Sequence, residues 1–229
     1  MKKPVFTLII VLLFSSSNML AQQSKLSLSI RPGLSIPFGD YASRDLENGC
    51  FTTTGIGLVA EADYQVYGNF YASFHGGAQF HPVDVASLGL AKVLEDPFMS
   101  DLYIRSESYR IIHLSAGIAY TTALINKLQA SGKVLAGMFI SQTPYQIYRP
   151  QYFLMGPDYF VITSARDRSF AYGGGFDLIY PINDCISLQF GSEALLSEAA
   201  FGFISAGSVR TDWRKISFIN INLGFHMRF

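Results

Sequence analysis

Glu61 and His75 flank Gly68 at equal separations, so a tight turn centred on that glycine sets a carboxylate directly across from an imidazole. Both groups can bind a metal ion or pass a proton. The other histidines, His81, His113 and His226, fall on the same side of the local alternation as Arg31, Asp63, Lys133, Asp177, Glu193 and Arg228. Ionisable groups gathered on one buried side must pair with one another, because an unpaired buried charge is costly. The reading adopted is therefore an ion network of Arg31, Glu61, Asp63, His75, His113, Lys133, Asp177, Glu193, His226 and Arg228, with no metal and no cofactor assigned. His113-Leu114-Ser115 is a superficial match to a Ser–His hydrolase pair. No acid follows at a suitable spacing, so no catalytic residue is assigned and the chain is read as no enzyme.

The elements that must position these side chains follow a period of two. The run 217–229 sets Ile219, Ile221, Leu223, Phe225, Met227 and Phe229 on one face against Asn220, Asn222, Gly224, His226 and Arg228 on the other. It exceeds the ~5–6 residues usual in soluble strands and suffices for a membrane-crossing strand of ~9–11. The pattern recurs at about 25–36, 54–66, 70–81, 108–120, 128–141, 169–180 and 185–195, with no helical stripe of any length. Connections alternate: short at 67–69, 121–127 and 181–184, long at 37–53, 82–107, 142–168 and 196–212. Short turns at one end and long loops at the other are the habit of outer-membrane barrels.

The polar face decides which side is out. It carries Ser, Gly, Gln and Asn with scattered charges, where a solvated exterior would be rich in Lys and Glu. The apolar face carries no charge at mid-strand, in keeping with the ~2–4 kcal/mol cost of a basic residue facing mid-bilayer lipid. Tyr64, Tyr120, Tyr180 and Phe229 near the short turns, and Phe80, Tyr109, Phe170 and Tyr172 near the long loops, are expected to form aromatic girdles. The expected fold is all-β, an eight-stranded antiparallel up-and-down transmembrane β-barrel with a plugged polar lumen, over residues 22–229.

Lys2 and Lys3, the apolar run 5–14 and a small-residue stretch ending at Ala21 read as a signal peptide over 1–21. That apolar run is too short for a helical span. With 17 basic against 17 acidic residues, a pI near 6.9 and no basic run, nucleic-acid binding is disfavoured. A composition that is 14% aromatic and only 15% charged excludes disorder. Cys50 lies in the first long loop and Cys185 at a short turn, so no disulfide is expected between them.

The signal peptide, the sequence Gly33-Leu34-Ser35-Ile36-Pro37-Phe38-Gly39-Asp40-Tyr41 leaving the first strand, and the alternating end closing on Phe229 resemble the small outer-membrane β-barrel proteins of Gram-negative bacteria, the OmpA/OmpX-like and "porin family" barrels. The resemblance covers the mature chain and is specific for architecture, weak for activity. It implies the bacterial outer membrane as location and outer-membrane lipid and lipopolysaccharide as surroundings. It also implies insertion by an assembly machinery that reads the last strand, with Leu223, Phe225, Met227 and Phe229 as the signal. The expected role is structural, adhesive or surface-interacting; the alternatives are a narrow pore and, third, a lipid-modifying barrel enzyme. The aromatic third long loop reads either as a surface for an extracellular protein or glycan, or as a β-hairpin turning at 155–158 that extends the barrel wall above the membrane. Arg166, Arg168, Arg210, Arg214 and Lys215 at the outer rim read either as lipopolysaccharide-phosphate contacts or as a solvated loop base.

Overall fold

Alternating sequences become strands here because each places one side chain per pleat on either face, and a closed sheet gives those faces two different solvents. A computed structural model describes residues 25–125, 127–153, 156–205 and 208–229. The expected signal peptide, and Met155 of the expected hairpin turn, lie outside the described residues. The strands are β1 (Leu26–Pro37), β2 (Gly55–Tyr67), β3 (Phe70–His81), β4 (Met99–Ser106), β5 (Tyr109–Ile125), β6 (Leu128–Gln142), β7 (Gln146–Tyr152), β8 (Phe160–Ile162), β9 (Arg166–Pro181), β10 (Ile186–Ser205) and β11 (Ser208–Arg228), with one α-helix among the described residues, α1 (Val85–Glu95).

Eight of the strands close a barrel in the order β1-β2-β3-β5-β6-β9-β10-β11, each antiparallel to its chain neighbour. The ring is sealed by β11 pairing β1, with Leu28 opposite Met227 and Ile36 opposite Ile219. The β2–β3 turn uses Gly68 at φ +52°, a left-handed conformation that glycine adopts without penalty. It sets Glu61 opposite His75, the register that a Gly68-centred turn requires.

Burial is inverted relative to a soluble protein. Ile30 and Val134 are 61% and 73% exposed while Arg31 and Lys133 are 1% and 5% exposed. At ~25 cal/mol per Å² of apolar surface, so large an exposed belt is untenable in water and suits lipid. Tyr64, Phe70, Tyr120 and Tyr180 ring its lower edge, and Phe80, Phe170 and Tyr172 its upper edge, all outward.

Several sequence expectations need correction. Tyr109 is not in the upper girdle but packs inward on a buried apolar plug that closes the upper lumen. The plug comprises Ile111, Leu135, Phe139, Leu195, Ile216 and Phe218 among others, with Phe139 and Phe218 stacked at 5.5 Å. The segment 196–212 is not a loop: β10 and β11 stay paired from Ile186 opposite Met227 up to Ser205 opposite Ser208, as a hairpin standing above the belt. The third long loop does form a hairpin, β7–β8, but it joins β4 in a separate three-stranded sheet and does not extend the barrel wall.

A helix also stands where none was expected. Asp84 caps α1, accepting from the Ser87 amide at 3.1 Å and the Ser87 hydroxyl at 2.7 Å, and pairs with Arg44 at 2.9 Å. Leu88 of α1 packs with Phe51, Met99, Leu102, Ile104 and Tyr148, so the outer segments own a small core of their own. The Ser87 bonds, then Arg44, hold the Asp84 carboxyl below the usual carboxylate range. A group depressed in the folded state contributes stability that is full at neutral pH and fades as pH falls through its lowered value. Asp84→Ala should cost α1 about 1 kcal/mol, read as faster amide exchange over α1 at neutral pH. The wild type should converge on the variant in acid, and a pH-independent difference would refute the charged cap.

Cys50 is buried in the outer region and Cys185 is exposed at the β9–β10 turn, both as free thiols. Burial pushes the Cys50 thiol up, making it a poor nucleophile. Maleimide should therefore label only Cys185 in the folded barrel and both thiols after unfolding. A Cys50–Cys185 disulfide under non-reducing mass spectrometry would overturn the topology.

Candidate functional site: the luminal charge ring

Each strand contributes its inward residue at a similar height, so side chains distant in sequence meet across the lumen. Arg31 of β1 bonds Asp177 of β9 at 2.6 Å and also bonds Glu61 of β2. Lys133 of β6 contacts both Glu61 oxygens at 3.0 Å and Asp177 at 2.7 Å. Arg31, Glu61, Lys133 and Asp177 thus close a ring of alternating charge. Two cations and two carboxylates arranged so, each touching both opposite partners, offset the desolvation that any isolated pair would suffer.

The ring has a carboxylate extension. His75 of β3 stands between Glu61, at 3.1 Å from its Nε2, and Glu193 of β10, at 3.5 Å from its Nδ1. Glu193 also accepts from the Asn220 amide at 3.1 Å. Asp63 and Glu61 both accept from the Ser73 hydroxyl. Space for the long cations comes from inward glycines: a Cβ at Gly191 would lie against Arg31 and Asp177, and one at Gly175 against Lys133.

Not every residue of the expected network joins it. His113 turns to Gln79 at 3.2 Å. His81, inward but outside the expected network, bridges the Ser35 hydroxyl at 2.9 Å and the Tyr41 hydroxyl at 3.2 Å, higher in the lumen. Arg228 donates to Gln129 at 2.7 Å near the lower mouth and makes no ion pair among the described residues. His226 lies beside it, lining a cavity of about 20 Å³ with Asp63 and Asp177, room for about one water. Ser73, Asn220, Gln79 and the glycines were not singled out from sequence; their only signal is a small or amide residue on the inward face.

Solved structures bring the comparison. The chain is similar to neisserial surface protein A, at 9% identity over 90% of this chain and 98% of that one, with a TM-score of 0.55. It is also similar to a major outer membrane protein of Thermus thermophilus, at 12% identity over 89% of this chain and 99% of that one, with a TM-score of 0.50. This is the outer-membrane barrel fold. No protein-family model and no curated protein matches the sequence.

Within that barrel fold, the chemistry open to the ring is narrow. Glu61, Asp63 and His75 bring one ligand atom each within 4.8 Å of the others. The Glu61 oxygens, however, already serve Arg31, Lys133 and Ser73, and a cation entering there would have to displace an ammonium or guanidinium. His113 and Ser115 make no hydrogen bond to each other, His113 having turned to Gln79. What the ring does chemically is join β1, β2, β6 and β9 across the lumen.

Proposed function

We propose that this is a bacterial outer-membrane surface protein, without catalysis, that acts through its folded outer subdomain while its lumen serves as a closed strut. The observation that carries this reading is that the outer segments own a separate core, built by α1 and the β4–β7–β8 sheet. Mere connectors have no need of one. That subdomain presents Leu90, Leu94, Phe98, Tyr103, Phe153 and Tyr159 outward, each more than half exposed. Phe98 and Phe153 are joined by a backbone bond of 3.1 Å, so two of these rings stem from adjacent positions. Exposed aromatics of this kind suit an extracellular protein or glycan. The basic rim supports lipopolysaccharide binding less well, since Arg210 pairs with Asp212 and Lys215 with Asp40.

The charge ring below and the apolar plug above support a non-conducting lumen over the narrow-pore alternative. Purified protein in planar bilayers should give no single-channel steps. Cells displaying the protein should bind an extracellular matrix or glycan array, and Phe98→Ser with Phe153→Ser should remove that binding while leaving heat-modifiable gel migration unchanged. Steady conductance would move the pore ahead; equal binding by the variant would sink the surface reading. Lipid mass shifts dependent on the protein would instead reveal an enzyme.

A further inference from the structure

The two apolar cores do not merge. Between the barrel plug and the outer subdomain lies a partly enclosed cavity of about 160 Å³. Its floor includes Tyr109, Phe201 and Cys50, and its walls include Phe51, Leu88 and Ile162. A volume of about 150 Å³ suffices for benzene, so this cavity has room for a ring-sized body against its apolar residues Phe51, Leu88, Ile162 and Phe201.

Its polar lining is not neutral. Arg214, Lys92 and Asp212 all border it. Arg214 is committed: it donates to the carbonyls of Glu47 at 2.9 Å and Gly49 at 3.4 Å, and lies 3.8 Å from Asp212. Asp212 is committed as well, to Arg210 at 2.9 Å. Lys92 differs. Its ammonium sits 5.7 Å from the centroid of the Tyr148 ring, and the outer ion pairs leave it without a carboxylate among the described residues. A half-buried ammonium at the edge of a cavity of mixed apolar and polar lining lacks only an anionic acceptor, and a charge-assisted bond to one is stronger than a neutral one.

We propose that this cavity binds a small apolar monocarboxylate, its hydrocarbon body between the two cores and its carboxylate on Lys92. The proposal goes beyond a surface-interaction role and stands whether or not a macromolecule docks on the outer subdomain.

The probes are phenylacetate and its uncharged isostere phenylacetamide, titrated against the intact barrel in lipid nanodiscs. Methyl resonances of Leu88 and Ile162 give the readout. Phenylacetate should bind saturably and shift those resonances, with phenylacetamide weaker by about tenfold. Lys92→Met should lower phenylacetate affinity to that of the amide and leave the amide unchanged. Leu88→Phe or, independently, Ile162→Phe should abolish binding of both by filling the cavity, heat-modifiable migration reporting that each barrel is folded. No saturable binding, equal affinity for the two probes, or unchanged phenylacetate affinity in Lys92→Met would each overturn the proposal.

Discussion

Lys133→Met should destabilise the folded barrel by about 3–5 kcal/mol, the usual penalty for deleting one partner of a buried ion pair. Lys133 is 5% exposed and its ammonium is shared between Glu61 and Asp177. Methionine fills a similar volume, so the packing loss is small and the cost is electrostatic: Arg31 would be left alone to balance Glu61 and Asp177, with Glu193 nearby. Asp158→Asn, on an exposed outer segment, should stay within about 0.5 kcal/mol of wild type. Denaturant unfolding in detergent micelles measures both, with Trp213, the single tryptophan, as reporter. Adding Glu61→Gln to Lys133→Met should recover part of the loss, since residues in one network are not additive. If the two single substitutions cost the same, the lumen is hydrated and the narrow pore becomes the better reading.

Such a ring is only partly legible in a sequence. Alternation marks which residues point inward, and a tight turn fixes the opposition of Glu61 and His75, because both are local properties of one hairpin. The Arg31–Asp177 bond spans 146 residues and crosses the lumen between strands that are not neighbours. It depends on the curvature of the closed sheet, which no spacing within a strand encodes. The apolar plug was hidden for another reason. Leu135 and Phe139 point inward from a stretch whose outward residues, Val134 and Met138, are apolar too, so the period of two fades where the lumen changes from polar to oily. Helix α1 left no stripe because apolar residues surround it: Leu88 and its buried neighbours face the outer core while Leu90 and Leu94 face outward. Asp84 with Ser87 was the one local sign of its start. The long β10–β11 hairpin leaves no clear alternation in the sequence because Ala199, Ala200 and Gly202 blur the contrast between its faces.

Removing Phe229 should leave the finished barrel nearly intact and yet deplete it from the cell. The terminal residue is 38% exposed on the outer surface, in line with Leu223, Phe225 and Met227, which are also outward. Its amide donates to the Leu26 carbonyl at 3.0 Å, at the short-turn edge of the seam where β11 meets β1. Losing that bond costs about 1 kcal/mol, and the seam above it keeps its pairing from Ser27 opposite Arg228 to Pro37 opposite Phe218. The truncated chain should therefore refold into detergent micelles with unchanged heat-modifiable migration. The resemblance implies an assembly signal made of Phe229 and the apolar ridge leading to it; were the signal read so, it would be read before the seam exists. A chain lacking the end is then exposed to periplasmic proteolysis for longer, and its outer-membrane level should fall sharply. Phe229→Tyr, which keeps an aromatic terminus, should restore the level, whereas Phe229→Ser should not. Equal cellular levels for intact and truncated chains would remove the assembly role from Leu223, Phe225, Met227 and Phe229, leaving that ridge as lipid-facing surface alone.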